Sequence, residues 1–157
     1  MPRAPALLEH RVRRAVKVLD FTLSRVEGTL SSSGGNFDAV AKARGFTSSV
    51  RVVMRVRGLK HPESWAMSIL LNNQRIDGID WEAKVADHRG KKHDCTGWHR
   101  HLWNPDSKDT LKECLPAFRP ATVRDFLTKG FDALNVVLKG GMDDASNGQL
   151  SFDQTGS

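Results

Sequence analysis

No apolar run in this sequence approaches the roughly 20 residues that cross a bilayer as a helix, so no membrane segment is expected. The start of the chain, Met1 to His10, holds only a short apolar patch interrupted by Glu9 and His10. That is too little for the hydrophobic stretch of a secretory signal. Cysteine is nearly absent. Cys95 and Cys114 form no CxxC pair, and a chain of 157 residues can build a core without a disulfide scaffold. Free thiols in a reducing compartment are therefore expected, and with them a cytoplasmic protein. The spacing leaves a Cys95–Cys114 bridge open. Ser31-Ser32-Ser33-Gly34-Gly35-Asn36 lacks the Gly-Lys-Ser/Thr ending and the preceding strand of a phosphate-binding loop, so it reads as a plain loop. There is no internal repeat. A composition of 39% hydrophobic and 27% charged residues is that of an ordinary globular domain. One α+β domain over residues 1–141 is expected, with a polar, disordered tail over 142–157.

Positive charge is abundant and uneven. Residues 1–60 carry 12 Lys/Arg against 4 Asp/Glu, whereas 61–101 balance and 102–157 are slightly acidic, for a net +6. An acidic partner follows, nucleic acid before protein. The plainer alternative is a basic domain with no such partner.

Hydrophobic periodicity sets the expected elements. Val12, Ala15, Val16, Leu19, Leu23 and Val26 recur at helical spacing, predicting a helix from about Glu9 to Glu27. Phe37 to Arg44 reads as a short helix stopped at Gly45. Ser48 to Arg57 alternates, with Arg51, Arg55 and Arg57 on the outer face of a strand. Trp65 to Leu71 and Arg75 to Glu82 read as two further strands joined by an Asn72-Asn73 turn. Gly78 inside the latter hints at a bulge or a close backbone approach. Trp98 to Trp103 reads as a fourth strand and residues 108–119 as a connector. A helix from Thr122 to about Leu138 opens on Thr122 as N-cap with Asp125 three residues on. The sum is an antiparallel sheet of about four strands with the N- and C-terminal helices packed on one face.

The chemistry concentrates between Gln74 and Trp103. Four of the six histidines (His88, His93, His99, His101), three of the four tryptophans and the pair Asp77 and Asp80 lie there. His99-x-His101 on a strand places both imidazoles on one face and turns Arg100 to the other. Asp77 and Asp80, three apart, face opposite sides unless a bulge at Gly78 brings them together. Three readings compete. Imidazoles titrate near neutrality, so His99 and His101 can act as acid and base in phosphodiester cleavage. A cation such as Arg75 or Arg100 would steady the developing charge. A metal site of histidines and an aspartate is the second reading, but H-x4-H-x5-H-x-H matches no known zinc signature, and no metal or cofactor is expected. The third is structural: histidines satisfied by hydrogen bonds, or a docking surface without chemistry. Trp98 and Trp103 could stack on bases or simply pack. Cys95 beside the histidines could be a nucleophile, but no third group is placed for it.

The order of these motifs resembles the TumE-type toxins of bacterial toxin–antitoxin loci. The matching residues are Arg75-Ile76-Asp77 or Ile79-Asp80, His88, His99-Arg100-His101, and Thr122-Val123-Arg124-Asp125-Phe126-Leu127, spanning about residues 64 to 135. The resemblance implies a toxin-like fold, an RNA-directed activity and a partner antitoxin. A long N-terminal helix, His93 and the insert after His101 depart from the pattern, which also admits a phage- or mobile-element-borne inhibitor. Taken together, the expected function is a histidine-dependent ribonuclease with RNA as its partner rather than DNA. His99 and His101 would catalyse, His88 would assist and Asp80 would orient one ring. Arg51, Arg55, Arg57, Arg75, Arg100, Lys91 and Lys92 would bind the nucleic acid. The rival is a non-enzymatic inhibitor or adaptor that docks on a nucleic-acid-processing complex through its basic surface.

Overall fold

The computed structural model describes residues 4–20, 27–31, 34–58, 64–82, 97–102, 111–139, 142–144 and 150–152. His88, Lys91, Lys92, His93, Cys95 and Trp103 lie outside them. Helix α1 (Ala4–Arg14) leads into β1 (Lys17–Leu19), β2 (Glu27–Ser31), β3 (Gly34–Ala43), β4 (Val50–Gly58), β5 (Ala66–Leu71), β6 (Gln74–Glu82), β7 (Gly97–Leu102) and β8 (Leu111–Cys114). Helix α2 (Val123–Ala133), β9 (Val136–Leu138), β10 (Met142–Asp144) and β11 (Leu150–Phe152) follow.

The expectation of a four-stranded antiparallel sheet is overturned. Eight strands run in the continuous order β8-β7-β6-β5-β4-β3-β1-β9, and β2 also pairs with β3. The sheet is mixed, because β1 and β9 pair in parallel. In the region read as a tail, β10 and β11 pair antiparallel as a separate small sheet.

Four local readings change. The first helix ends at Arg14, and Lys17 and Leu19 alternate into the core as β1. The stripe Val12, Val16, Leu19 fitted a helical period. The pairing that wins is with Ala41–Ala43 and with Val136–Leu138, remote in the chain. Phe37–Arg44 is strand β3, not a helix: Phe37, Ala39, Ala41 and Ala43 are buried at period two. Alanine's helical propensity concealed the alternation. The loop read over 31–36 lies largely in β2 and β3, and β8 occupies part of the expected connector. Helix α2 starts as expected: the Asp125 amide donates to Thr122 Oγ1 at 3.0 Å, and Asp125 Oδ2 accepts from the Ala121 amide at 2.9 Å. It stops at Ala133 because Asn135 adopts φ 57°, the left-handed conformation that asparagine tolerates at a helix end.

Cross-strand partners share a face of the sheet, and the register separates two faces clearly. One carries Phe37, Ala39, Ala41, Val52, Met54, Val56, Met67, Ile69 and Ile79, all buried. Val12 of α1 and Val123, Phe126, Leu127 and Phe131 of α2 complete that core. Gly130 lets α2 approach β5 closely, since a Cβ there would meet Met67 Cε at 2.8 Å. Trp98 packs on Phe126 and Phe118 with ring centroids 5.5 and 5.2 Å apart, so its ring belongs to this core. The other face carries Asp38, Val53, Arg51, Arg55, Leu70, Asp80, His99 and His101.

One irregularity matters for that second face. Ile69 pairs with Asp77 but Leu70 pairs with Arg75, leaving Ile76 as an extra residue in β6. A bulge of this kind re-aims side chains. Here it turns Arg75 onto the face of Asp80, whereas strict alternation would put it with Asp77.

Candidate active site

The centre is built on two adjacent strands. In the β6–β7 ladder Asp80 is opposite His99 and Gly78 is opposite His101. Period-two alternation puts all four on the face without helices. His99 Nε2 lies 2.7 Å and His101 Nε2 2.8 Å from the same oxygen, Asp80 Oδ1. The two Nε2 atoms are 3.0 Å apart. His99 is wholly buried and His101 nearly so, while the Asp80 side chain keeps 22% of its surface and opens the cluster to solvent. The imidazole Nδ1 of His99 lies 3.2 Å from the Gly97 carbonyl. A carbonyl only accepts, so Nδ1 carries the hydrogen and Nε2 is the atom directed at Asp80. Gly97 holds φ +97°, a conformation that side chains other than glycine's rarely permit.

Burial by itself would raise the Asp80 pKa. Hydrogen bonds from His101 and His99 outweigh it and hold the carboxylate well below its ordinary range. Arg75 NH1 stands 4.0 Å from Asp80 Oδ2, the oxygen that the histidines do not share. Two imidazole nitrogens and a carboxylate oxygen, all within reach of one point, are also the donor set of a transition-metal site.

The remaining expected site residues divide. Arg51, Arg55 and Arg57 alternate onto the same face as the cluster, two strands from Asp80 and three from the histidines, about 10 and 14 Å at the usual strand spacing. Arg55 and Arg57 both grip Asp38, at 3.2 and 2.9 Å. Burial would raise the Asp38 pKa, but those two guanidinium groups lower it. Arg100 is on the opposite face. Its guanidinium makes a bidentate pair with buried Asp77, Nε to Oδ1 at 2.8 Å and NH2 to Oδ2 at 2.6 Å. Gly78 keeps its regular register, the bulge lies at Ile76, and Asp77 and Asp80 stay on opposite faces. Two residues that sequence reasoning passed over adjoin the site in the β7–β8 ladder: Lys112 opposite His101 and Cys114 opposite His99. Cys114 is disulfide-bonded, which corrects the free-thiol expectation there. Asp38 was missed because its segment read as a helix, although its i,i+2 neighbours already alternated.

No family model, curated protein or solved structure matches this chain. Among the described residues no helix is long and apolar enough to cross a membrane.

Proposed function

We propose that this protein cleaves RNA, using Asp80, His99 and His101 as one proton-handling unit. The observation that carries the reading is the convergence of two imidazoles and a carboxylate on the sheet face that also bears Arg51, Arg55, Arg57 and Arg75. The imidazoles are too close together to stand on either side of a phosphate as separate acid and base. They act in turn from one side. The ribose 2′-hydroxyl gives its proton to the His101 side of the cluster as its oxygen bonds to phosphorus. The P–O5′ bond then breaks, and the departing 5′-oxygen takes that proton back, leaving a 2′,3′-cyclic phosphate. Arg75, beside Asp80, faces the charge that builds on the phosphoryl oxygens. An RNA-directed toxin neutralised by an antitoxin is the biological setting that the motif resemblance implies.

The test is a labelled RNA incubated with the wild-type chain and with His101→Ala and Asp80→Asn. Loss of at least about 100-fold in cleavage by both, with folding intact, is the expected result, given typical general acid–base contributions. A second reading rests on the exposure of Arg51 and Arg55: a module that docks on a polyanion or an acidic protein without chemistry. It requires binding to survive His101→Ala and to vanish in Arg51→Glu/Arg55→Glu.

A further inference from the structure

We infer that Asp80, His99 and His101 form a binding site for one six-coordinate divalent transition-metal ion, held on a single octahedral face. This rests on the reading above that these three side chains form the reactive centre, and it changes their role: an ion would take the three lone pairs, and proton transfer would then fall to water held at its open positions.

Nitrogen and oxygen ligands lie about 2.0–2.2 Å from such an ion. Two ligands at right angles are then about 2.9 Å apart, and two at a tetrahedral angle about 3.4 Å. The three donor–donor distances here are 2.7, 2.8 and 3.0 Å. They fit mutual right angles and fall short of a tetrahedron. Three ligands on one octahedral face leave three neighbouring positions for water or substrate, the pattern of two histidines and one carboxylate with open sites.

A ring nitrogen has either a hydrogen or a lone pair. With Asp80 as a carboxylate, the two short contacts to Oδ1 each need a hydrogen on the respective Nε2. The 3.0 Å contact between the rings would then bring two N–H groups together with no acceptor between them. His99 already bears a hydrogen on Nδ1, facing Gly97, so a second on Nε2 would make it an imidazolium with no exposed surface. Burying such a charge is costly. A single cation seated over the triangle, off its plane, satisfies the three lone pairs at once.

Metal-bound histidines donate their remaining N–H to a carbonyl or carboxylate, which fixes the tautomer; the Gly97 carbonyl does this for His99. Arg75 engages Asp80 Oδ2, which leaves Oδ1 as a single-oxygen ligand. Gly78, opposite His101, presents no side chain on that face; a Cβ there would meet the Met67 carbonyl oxygen at 2.8 Å and Arg75 Nε at 3.6 Å. The close approach of the β5 backbone requires glycine there, and Arg75 lies in ordinary contact beside it. Mixed nitrogen and oxygen donors favour first-row transition ions over magnesium or calcium.

The test uses the full chain stripped with a chelator and titrated with Co2+ alone, by calorimetry and visible absorption, with no nucleic acid present. The expected result is one ion per chain, with the weak d–d band of six-coordinate cobalt. Affinity should fall about 100-fold or more in Asp80→Asn and in His101→Gln, since outer-shell losses alone reach that size. Circular dichroism verifies that each variant is folded. Absence of one-to-one binding overturns the inference, as does equal affinity in two folded variants. An intense four-coordinate band overturns the octahedral face. Because the readout is metal alone, it stands or falls separately from RNA cleavage. Cleavage without bound metal would leave the proposed function intact, and bound metal without cleavage would end it.

Discussion

Lys17 is a charged side chain with no exposed surface. Its ammonium donates to the carbonyls of Arg13 and Ala15 at 2.8 Å and of Leu134 at 2.9 Å, tying the end of α1 to the end of α2. Burial pulls its pKa down to about 8; Asp77 opposes this, and Arg100 and Arg13 add to it. Unfolded, the amine keeps its proton up to its ordinary pKa of about 10.5. Between those two pH values the unfolded chain binds more protons than the folded one, so stability should rise with pH across that window. Urea midpoints at pH 7.5 and 9.5 check the direction, and Lys17→Met should abolish the slope. That variant also leaves three carbonyls without their donor, so a net loss of about 1–3 kcal/mol is expected at neutral pH. Asp80 behaves oppositely. Its pKa is depressed in the fold, so its contribution is present above the unfolded carboxylate range and is lost as pH falls below about 4. Acid titration of wild type against Asp80→Asn should show a shallower acid limb in the variant; identical limbs would contradict the cluster's geometry.

Strand β6 decides what reaches the site. Gly78→Ala would press a methyl against the Met67 carbonyl, a backbone atom that cannot swing aside. A loss of about 1–3 kcal/mol is expected from such overpacking, read as a lower thermal midpoint. A variant as stable as wild type would show that β5 yields easily. Thr122→Ala should cost about 1 kcal/mol through the lost cap of α2. The sequence revealed these elements unequally. The strand pair with its Asn72-Asn73 turn was legible, both residues taking the positive φ that such a turn requires. So were the common face of His99 and His101 and the N-cap at Thr122, because each depends on neighbours within a few residues. The bulge at Ile76 was not, since it exists only relative to β5. Nor was β1, whose partners β3 and β9 arrive from opposite ends of the chain. Asp80 could be singled out as a candidate, but its being opposite His99 depends on a β6–β7 register set across the 14 residues between the strands.

Across the whole sheet, charge and chemistry divide by face. The helix-covered side holds Arg100 paired with Asp77 and Lys17 bound to backbone carbonyls, and the other side carries the cluster and the arginines of β4. If RNA lies across that second face, its affinity should fall steeply with salt, and Arg51→Glu/Arg55→Glu should flatten the dependence. Filter binding at low and moderate salt reads this directly; salt-independent binding would place RNA elsewhere. The disulfide at Cys114, next to His99 in the ladder, removes the free-thiol premise on which a cytoplasmic location was expected. Underlying all of this is one point in space, off the plane of the triangle formed by Asp80 Oδ1, His99 Nε2 and His101 Nε2 and equidistant from the three. Anomalous diffraction at the cobalt edge, from crystals of the chain grown with Co2+, locates any ion there without reference to activity. The expected map has one peak about 2.1 Å from each of those three atoms. A map with no peak there, from crystals in which the two imidazoles have swung apart, would contradict the account.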